Sequence, residues 1–203
     1  MIIKQFEISK INFEDKNFYL FYGENEGYKN EVIANNFKPF YINKIYKYDE
    51  KEILENKNNF FTSILSKSFF EDNKLIIISR ATDKIKDIVQ EIISRNIIDI
   101  TIILLAGILE KKSKLRNLFE KEKNIVCIPF YSDSRQTLDK ISINFFKEKK
   151  IPISQETINL LIERCRGNRE NLKNELQKIE NFSKYKKKIS YENIIKLTNL
   201  AED

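Results

Sequence analysis

The sequence contains no histidine, and only two of its 203 residues are cysteines. Histidine is the commonest general base and a frequent zinc ligand, so its absence excludes serine–histidine hydrolysis and histidine-ligated zinc. Cys127 and Cys165 lie in apolar segments without a CxxC spacing, and we interpret them as small core residues. Glycine and proline are scarce, and the chain has no internal repeat or low-complexity segment.

Long hydrophobic runs are also missing. The longest apolar run, Ile100–Leu109, is well short of the roughly 18 residues that a membrane span needs, and nothing near Met1 resembles a signal peptide. We therefore predict a cytoplasmic protein that does not contact a membrane. A composition of 41% hydrophobic and 33% charged residues predicts one or two globular domains.

The net charge of +6 raises the alternative of a basic nucleic-acid-binding protein. Residues 1–133 are almost balanced, with 21 basic and 20 acidic side chains, whereas residues 134–203 hold 15 and 10. The only tight basic run is Lys184–Lys188 ("KYKKK"), and such runs are more often solvated loops than binding patches. We expect contact with DNA to be weak or indirect.

Short β-rich segments alternate with helical patterns in the first two thirds of the chain. This alternation predicts an α/β domain with a mostly parallel sheet between helices, and the nearly unbroken apolar runs "LIIIS" and "ITIILL" predict its central strands. The predicted strands are Phe18–Tyr22, Lys44–Tyr48, Lys74–Ser79, Ile100–Leu105 and Ile125–Pro129, and the predicted helices lie near Lys29–Asn36, Glu50–Ser66, Asp83–Ser94 and Ser113–Lys121.

After Tyr131 the pattern is helical only. Ser154 is a predicted N-cap before an apolar stripe, and Gly167 is a predicted helix stop before a second stripe. The sequence therefore predicts two domains, an α/β domain over residues 1–133 and a small all-α lid bundle over residues 134–203. The stripes consist of Ile158, Leu161, Ile162 and Cys165, and of Leu172, Leu176, Ile179 and Phe182.

The stretch "FYLFYGENEGYKNEVI" has the outline of a phosphate-binding loop. The working motif is G-x-x-x-x-G-K-[ST], whose glycines let backbone N–H groups wrap phosphates and whose hydroxyl ligates magnesium. Gly23 and Lys29 have the required separation, and Gly27 lies between them. Tyr28 replaces the second glycine and Asn30 replaces the hydroxyl, so we predict an inactive loop.

The carboxylate that would hold magnesium is missing as well. A working site ends a central strand in Asp or Asp-Glu. Here Ser79 and Arg80 follow one predicted central strand, and Ala106 and Gly107 follow the other. We therefore expect no cofactor and no metal site, and an active P-loop ATPase is kept only as an alternative.

Four stretches in order resemble the AAA+ family, and more narrowly the delta subunits of bacterial DNA polymerase III clamp loaders. They are the loop stretch above, "SKSFFEDNKLIIISRATDK", "AGILEKKSKLRNLFEKEKNIVCIPFY" and "LIERCRGNRENLKNELQKIENF". The family continues into a C-terminal collar domain that assembles the clamp-loader ring, whereas this sequence stops at Asp203. The resemblance therefore covers the first two domains of the family.

The resemblance implies a protein that binds the ring-shaped sliding clamp (the beta subunit) and opens it for loading onto DNA. The resemblance also implies that the protein belongs to the polymerase holoenzyme and has no ATPase activity of its own, since sister subunits hydrolyse ATP. Its partners in the clamp loader would be the gamma/tau and delta prime subunits. The family places the clamp contact at two large apolar residues before a central strand. In this sequence the contact would be formed by Ser68, Phe69 and Phe70.

Helical periodicity gives a separate reason to consider Phe69 and Phe70. If one helix runs from Glu50 to Phe70, they lie roughly 110° and about 150° from the centre of its buried stripe. An alternative is that the helix breaks near Ser66 or Ser68 and both rings turn back under the sheet. The predicted stripe consists of Ile53, Leu54, Phe60, Phe61, Ile64 and Leu65.

Two basic groups are lesser candidates for a contact with DNA or a neighbouring subunit. Lys112, Lys114 and Arg116 lie near a helix start, although such a group is more often a solvated face. Arg166 and Arg169 lie in the lid segment, where AAA+ proteins carry a nucleotide-sensing arginine. Without a working loop, we expect the lid arginines to form salt bridges with Glu163 and Glu170.

Overall fold

The chain divides into two compact units, Met1–Tyr131 and Ser132–Asp203. The computed structural model describes residues 3, 7–8, 11–13, 16–65, 73–95, 97, 99–184 and 191–197. Within these residues, no helix has the length and apolar character that crossing a bilayer requires.

The first unit is built on a five-stranded parallel sheet, which confirms the predicted α/β class. The spatial order is β2-β3-β4-β1-β5, so β1 lies between β4 and β5. Parallel neighbours need crossover connections, and the helices between the strands provide them. The strands are β1 (Phe18–Tyr22), β2 (Ile45–Asp49), β3 (Lys74–Ser79), β4 (Ile100–Ala106) and β5 (Val126–Pro129).

Apolar side chains cover both faces of this sheet. Leu20 and Tyr22 of β1 belong to one buried cluster, and Tyr19 and Phe21 belong to the other, because side chains alternate between faces along a strand. One face is covered by α1 (Glu26–Asn36). The opposite face is covered by α2 (Glu50–Glu55), α3 (Lys57–Leu65), α4 (Lys86–Ser94) and α5 (Lys114–Lys121).

The predicted single helix over Glu50–Ser66 is wrong, because it is broken at Asn56. Asn56 has φ −133° and ψ 53°, outside the helical region, and its carbonyl accepts the first bond of α3 from Phe60 N. The break changes the helical phase, so Leu54 is 39% exposed instead of joining the buried stripe. The angles calculated for Phe69 and Phe70 from one continuous helix therefore do not apply.

The two edges of the sheet differ. Beside β5, Ile3 N donates a 3.0 Å hydrogen bond to Cys127 O, and Ile3 is buried. The segment before β2 contains a short 3₁₀ helix, Lys38–Phe40, and Lys44 O accepts from Leu75 N of β3 at 2.9 Å. Within the described residues, β2 has β3 as its one strand neighbour.

The second unit consists of helices. Ser154 caps the second of them by accepting a hydrogen bond from Thr157 N, as predicted. The predicted stripes are buried in one cluster apart from Phe182, which is half-buried. The helices are α6 (Arg135–Glu148), α7 (Gln155–Arg164), α8 (Arg169–Ser183) and α9 (Tyr191–Leu197).

Candidate functional site

The loop between β1 and α1 lies where open α/β sheets bind ligands. In such sheets the ligand occupies the crevice outside the carboxyl ends of the strands, at the point where the strand order reverses. From β1 the chain passes to the edge strand β2, and from β4 it crosses over β1 to β5. The crevice beside Gly23, at the carboxyl ends of β1 and β4, is therefore the candidate site.

Lys29 fills this crevice. Its side chain is fully buried, and its ammonium donates to Gly23 O at 2.7 Å, Ala106 O at 2.7 Å and Glu26 Oε1 at 2.6 Å. An ammonium group has three N–H donors, so these three bonds use all of them. Burial lowers the pKa of Lys29, and the hydrogen bond that its ammonium donates to Glu26 opposes that shift. The lysine that would reach a phosphate instead joins the ends of β1 and β4.

The backbone of the loop is also bonded within the unit. A phosphate loop presents its N–H groups and a helix N-terminus to the anion. Here Gly23 N donates to Gly107 O at 2.9 Å, and Asn25 N donates to Phe130 O at 3.2 Å. The Asn25 side chain accepts from Tyr28 N at 3.1 Å and caps α1, and Glu26 adds a carboxylate to the first helical turn. These backbone N–H groups are therefore already hydrogen-bonded within the unit, and the nearby Glu26 carboxylate would repel an anion.

The glycine that starts the loop is needed for packing. Gly23 has φ +118°, and a Cβ at this position would lie 2.2 Å from Phe130 O of the neighbouring chain segment. Tyr28 is half-buried and its ring packs edge-on against the Phe130 ring, 5.3 Å between centroids. Gly27 is buried and Asn30 is exposed on α1. The loop residues thus contact β5 and its continuation.

The other strand ends supply no magnesium ligand set. Arg80, which follows β3, has φ +57° and forms an ion pair with Asp49 at the end of β2. Asp49 also caps α2 through Lys51 N. In the part of the chain that the structure describes, no three His, Cys, Asp or Glu side chains are grouped so that they could hold a metal.

The basic residues at the start of α5 have different surroundings. Arg116 is 18% exposed, donates to Glu120 Oε1 at 2.7 Å and to Leu109 O at 3.0 Å, and lies 5.0 Å from the Tyr22 ring centroid. Lys112 and Lys114 are exposed, and Lys112 pairs with Glu110 at 2.9 Å. Arg116 therefore packs within the first unit, and an outward contact stays a prediction for the two lysines.

The two lid arginines also differ. Arg166 is exposed with φ +48°, whereas Arg169 is buried and donates to both carboxylate oxygens of Asp133, each at 2.8 Å. The sequence prediction did not consider Asp133 as the partner of Arg169. Glu163 pairs with Arg135 instead, with 3.5 Å between Arg135 Nη2 and Glu163 Oε1. The predicted pairing of Arg169 with Glu163 or Glu170 is corrected by this ion pair.

The predicted clamp contact at Ser68, Phe69 and Phe70 lies outside the described residues, which stop at Leu65 and resume at Asn73. It stays a prediction. In contrast, the sequence prediction overlooked Asn25 and Glu26, which close the loop together with Lys29. Their signal was present, because Asn is a favoured N-cap and Glu26 and Lys29 have the i, i+3 spacing of a helical ion pair.

No protein-family model and no curated protein sequence matches the chain. Among solved structures, the Bacillus subtilis DNA clamp loader delta protein is similar, with a TM-score of 0.60 and 15% identity over 94% of this chain. The chain spans 60% of the length of that protein.

Two further structures come from Thermotoga maritima. The RuvB Holliday junction branch migration motor has a TM-score of 0.61 and 11% identity, with 97% of this chain and 69% of that chain covered. Domain III of the replication initiation protein DnaA has a TM-score of 0.50 and 13% identity, with 95% and 87% covered. These likenesses show the fold alone, an α/β domain with a parallel sheet followed by a helical region.

Proposed function

We propose that this chain is a clamp-loader subunit that binds the sliding clamp and opens its ring without hydrolysing ATP. The observation that carries the proposal is the closed loop, in which the Lys29 ammonium is fully buried and bonded to Gly23 O, Ala106 O and Glu26. An AAA+ fold whose phosphate crevice is filled by its own lysine acts through binding rather than through nucleotide chemistry.

Two further observations support this function over an active ATPase. The similar solved structures include a clamp loader delta protein, and the sequence stretches that resemble delta subunits include the segment before β3. The strand ends next to the crevice carry Ser79, Arg80 and Ala106 instead of a magnesium-binding carboxylate. In this proposal sister subunits bind and hydrolyse ATP, and the partners of the chain within the clamp loader are the gamma/tau and delta prime subunits.

In this proposal Phe69 and Phe70 enter an apolar pocket of the sliding clamp, and Ser68 leads into the contact. Each buried aromatic side chain contributes on the order of 1.5 to 3 kcal/mol, so its loss weakens binding by roughly tenfold to a hundredfold. Contact with DNA is weak or indirect, because the exposed lysines offer only phosphate contacts.

The test is binding of the purified chain to the sliding clamp of the same organism, measured by calorimetry. We expect Phe69→Ala and Phe70→Ala each to weaken binding by roughly tenfold to a hundredfold and to leave the melting temperature almost unchanged. Phe61→Ala is the control, since Phe61 is buried in the core and its loss should destabilise the fold by about 3 to 5 kcal/mol. A wild-type chain that does not bind the clamp would overturn the proposal.

A further inference from the structure

The edge strand β2 has backbone groups that point away from the sheet. Lys44 O accepts from Leu75 N of β3 at 2.9 Å, and Ile45 is the residue opposite Leu75. In a parallel pair the backbone groups of successive residues point to alternate sides, so those of Ile45 and Lys47 face outward. Among the described residues no strand lies beyond β2, so this edge can bond to a further strand.

Exposed apolar side chains are concentrated beside this edge. Among the described residues seven large apolar side chains are exposed, and four of them lie between residues 40 and 54. Tyr46 lies within β2 itself and is 36% exposed, with the Lys74 ammonium 5.6 Å from its ring centroid. An open strand edge next to exposed apolar side chains favours association with another chain. The four are Phe40, Ile42, Tyr46 and Leu54.

The same edge of a second copy fits this strand, but only in one register. Two copies related by a two-fold axis pair antiparallel, and the bonds join residues whose backbone groups point outward. An axis at Lys47 places the two lysines directly opposite each other, where like charges repel. An axis at Ile45 requires bonds from Asn43, which has φ 61° and lies before the strand. An axis at Tyr48 requires bonds from Asp49, whose N–H already donates to a side chain of α2 at 3.1 Å.

The remaining axis passes between the two Tyr46 residues. Ile45 of each copy then exchanges both backbone hydrogen bonds with Lys47 of the other, and no further residue has to pair. The Tyr46 residues form the non-hydrogen-bonded pair at the centre, with Cα atoms about 4.5 Å apart and side chains on the same face. Opposite aromatic side chains stabilise such pairs, and the Lys47 stem lies along Ile45 of the other copy. The edge is therefore self-complementary about Tyr46.

We propose that the chain forms a symmetric dimer in which the β2 strands of two copies pair antiparallel about Tyr46. This dimer does not depend on the proposed clamp contact. The two Lys47 residues are diagonal neighbours at roughly 8 Å, so salt that screens their repulsion should strengthen the dimer. A single pair of short strands is smaller than a standard interface, so we expect a Kd on the order of 10 to 100 µM.

The first test is sedimentation equilibrium of the full chain from about 10 µM to about 1 mM. We expect a monomer–dimer equilibrium without larger species, with a Kd that falls about threefold between roughly 50 and 500 mM salt. Lys47→Pro removes an outward N–H and keeps the bonds to β3, so it should raise the Kd at least about tenfold. Lys47→Ala is the matched control, because it keeps the N–H and removes the charge. The control should dimerise as well as the wild-type chain or better.

The second test is disulfide cross-linking, which reports the register. Tyr46→Cys should form a disulfide-linked dimer on mild oxidation, because a Cα separation of about 4.5 Å is within the range of a disulfide. Lys47→Cys should cross-link at least about tenfold more slowly, because its two copies are beyond roughly 7 Å. Ile108→Cys, at a position 73% exposed, measures random collisions. The native thiols of Cys127 and Cys165 are buried and do not compete.

Four outcomes would overturn the inference. A wild-type chain that stays monomeric at about 1 mM has no self-contact, and its β2 edge is then open to a strand of a different protein. A dimer that Lys47→Pro leaves unchanged forms at another surface. Faster cross-linking of Lys47→Cys than of Tyr46→Cys places the axis at Lys47, and equal rates for Tyr46→Cys and Ile108→Cys mean that β2 does not pair. A chain that dimerises as expected but does not bind the sliding clamp overturns the proposed function alone.

Discussion

Arg169 and Asp133 form a buried ion pair in the helical unit, with two nitrogen–oxygen contacts of 2.8 Å and exposed fractions of 6% and 1%. The planar guanidinium matches both carboxylate oxygens at once. The pair joins the start of α8 to the residues that precede α6. This arginine therefore has a structural partner within its own unit.

Breaking this pair should destabilise the helical unit. Arg169→Ala or Asp133→Ala leaves a buried charge without its partner, so we expect a loss of about 3 to 5 kcal/mol in the free energy of unfolding. Arg135→Ala is the control, because Arg135 and Glu163 are 60% and 62% exposed and should contribute less than about 1 kcal/mol. The free energy of unfolding of each variant is measured by urea unfolding monitored by circular dichroism. Losses in the Arg169 and Asp133 variants as small as the loss in Arg135→Ala would contradict a stabilising role of the buried pair.

Magnesium-ATP should not stabilise the chain. A ligand that binds only the folded state increases the free energy of unfolding, by about 1 kcal/mol at five times its Kd. The melting temperature therefore rises with the ligand concentration. Because the Lys29 ammonium has no donor left for a phosphate, we expect no shift at millimolar ATP. A reproducible, saturating rise that disappears in Lys29→Ala would show that the loop opens to bind nucleotide.

Two glycine substitutions should differ sharply in stability. Gly23→Ala places a Cβ 2.2 Å from Phe130 O at φ +118°, so we expect a loss of more than about 3 kcal/mol or failure to fold. Gly107→Ala is the matched control, since a Cβ there has no neighbouring atom within 4 Å. The measurement is the melting temperature of each variant by thermal unfolding. Equal decreases in the two variants would mean that Gly23 is not constrained by packing against β5.

Alkaline pH should destabilise the chain through its buried thiols. Burial, with a smaller contribution from Glu120, raises the pKa of Cys127 to about 12, and burial together with Glu175 raises that of Cys165 to about 12. The unfolded thiol ionises near pH 9.0 whereas the folded one stays protonated, so this stability is complete below pH 9 and decreases as the pH rises toward 12. We expect a loss of about 1.4 kcal/mol per thiol between pH 8 and pH 10.

The measurement is the free energy of unfolding at both pH values in the wild-type chain and in Cys127→Ala and Cys165→Ala. Each alanine variant should show a smaller pH-dependent loss, which separates the thiols from tyrosines and lysines that titrate in the same range. A second readout is modification by a thiol reagent at pH 8, which should be slow until denaturant is added. Rapid modification of the folded chain would contradict the burial of both thiols.

The central strands were predictable because burial on both faces leaves continuous apolar runs. Lys74–Ser79 has the bounds that the sequence predicts, and Ile100–Leu105 is extended by one residue to Ala106. The break at Asn56 was missed because the apolar spacing alone continues past it. Asn disfavours a helix interior and favours caps, and here that local preference separates α2 from α3.

The candidate site was predictable in outline only. The spacing of Gly23 and Lys29 identifies the loop, and Tyr28 and Asn30 mark it as altered. The bond from Lys29 to Ala106 O joins residues 77 positions apart, and the contact of Gly23 with Phe130 spans more than 100. Such contacts depend on which strands become neighbours, and local periodicity contains no information about that.

The hydrogen bond from Ile3 to Cys127 gives the sheet an asymmetry that concerns self-association. A sheet with two unoccupied edges can add identical chains head to tail without limit, which is how run-on fibres grow. Here Ile3 already bonds to one backbone position of the β5 edge, at Cys127 O, while β2 carries Lys47. A second copy could pair along β5 only by displacing Ile3, which disfavours unlimited addition of strands.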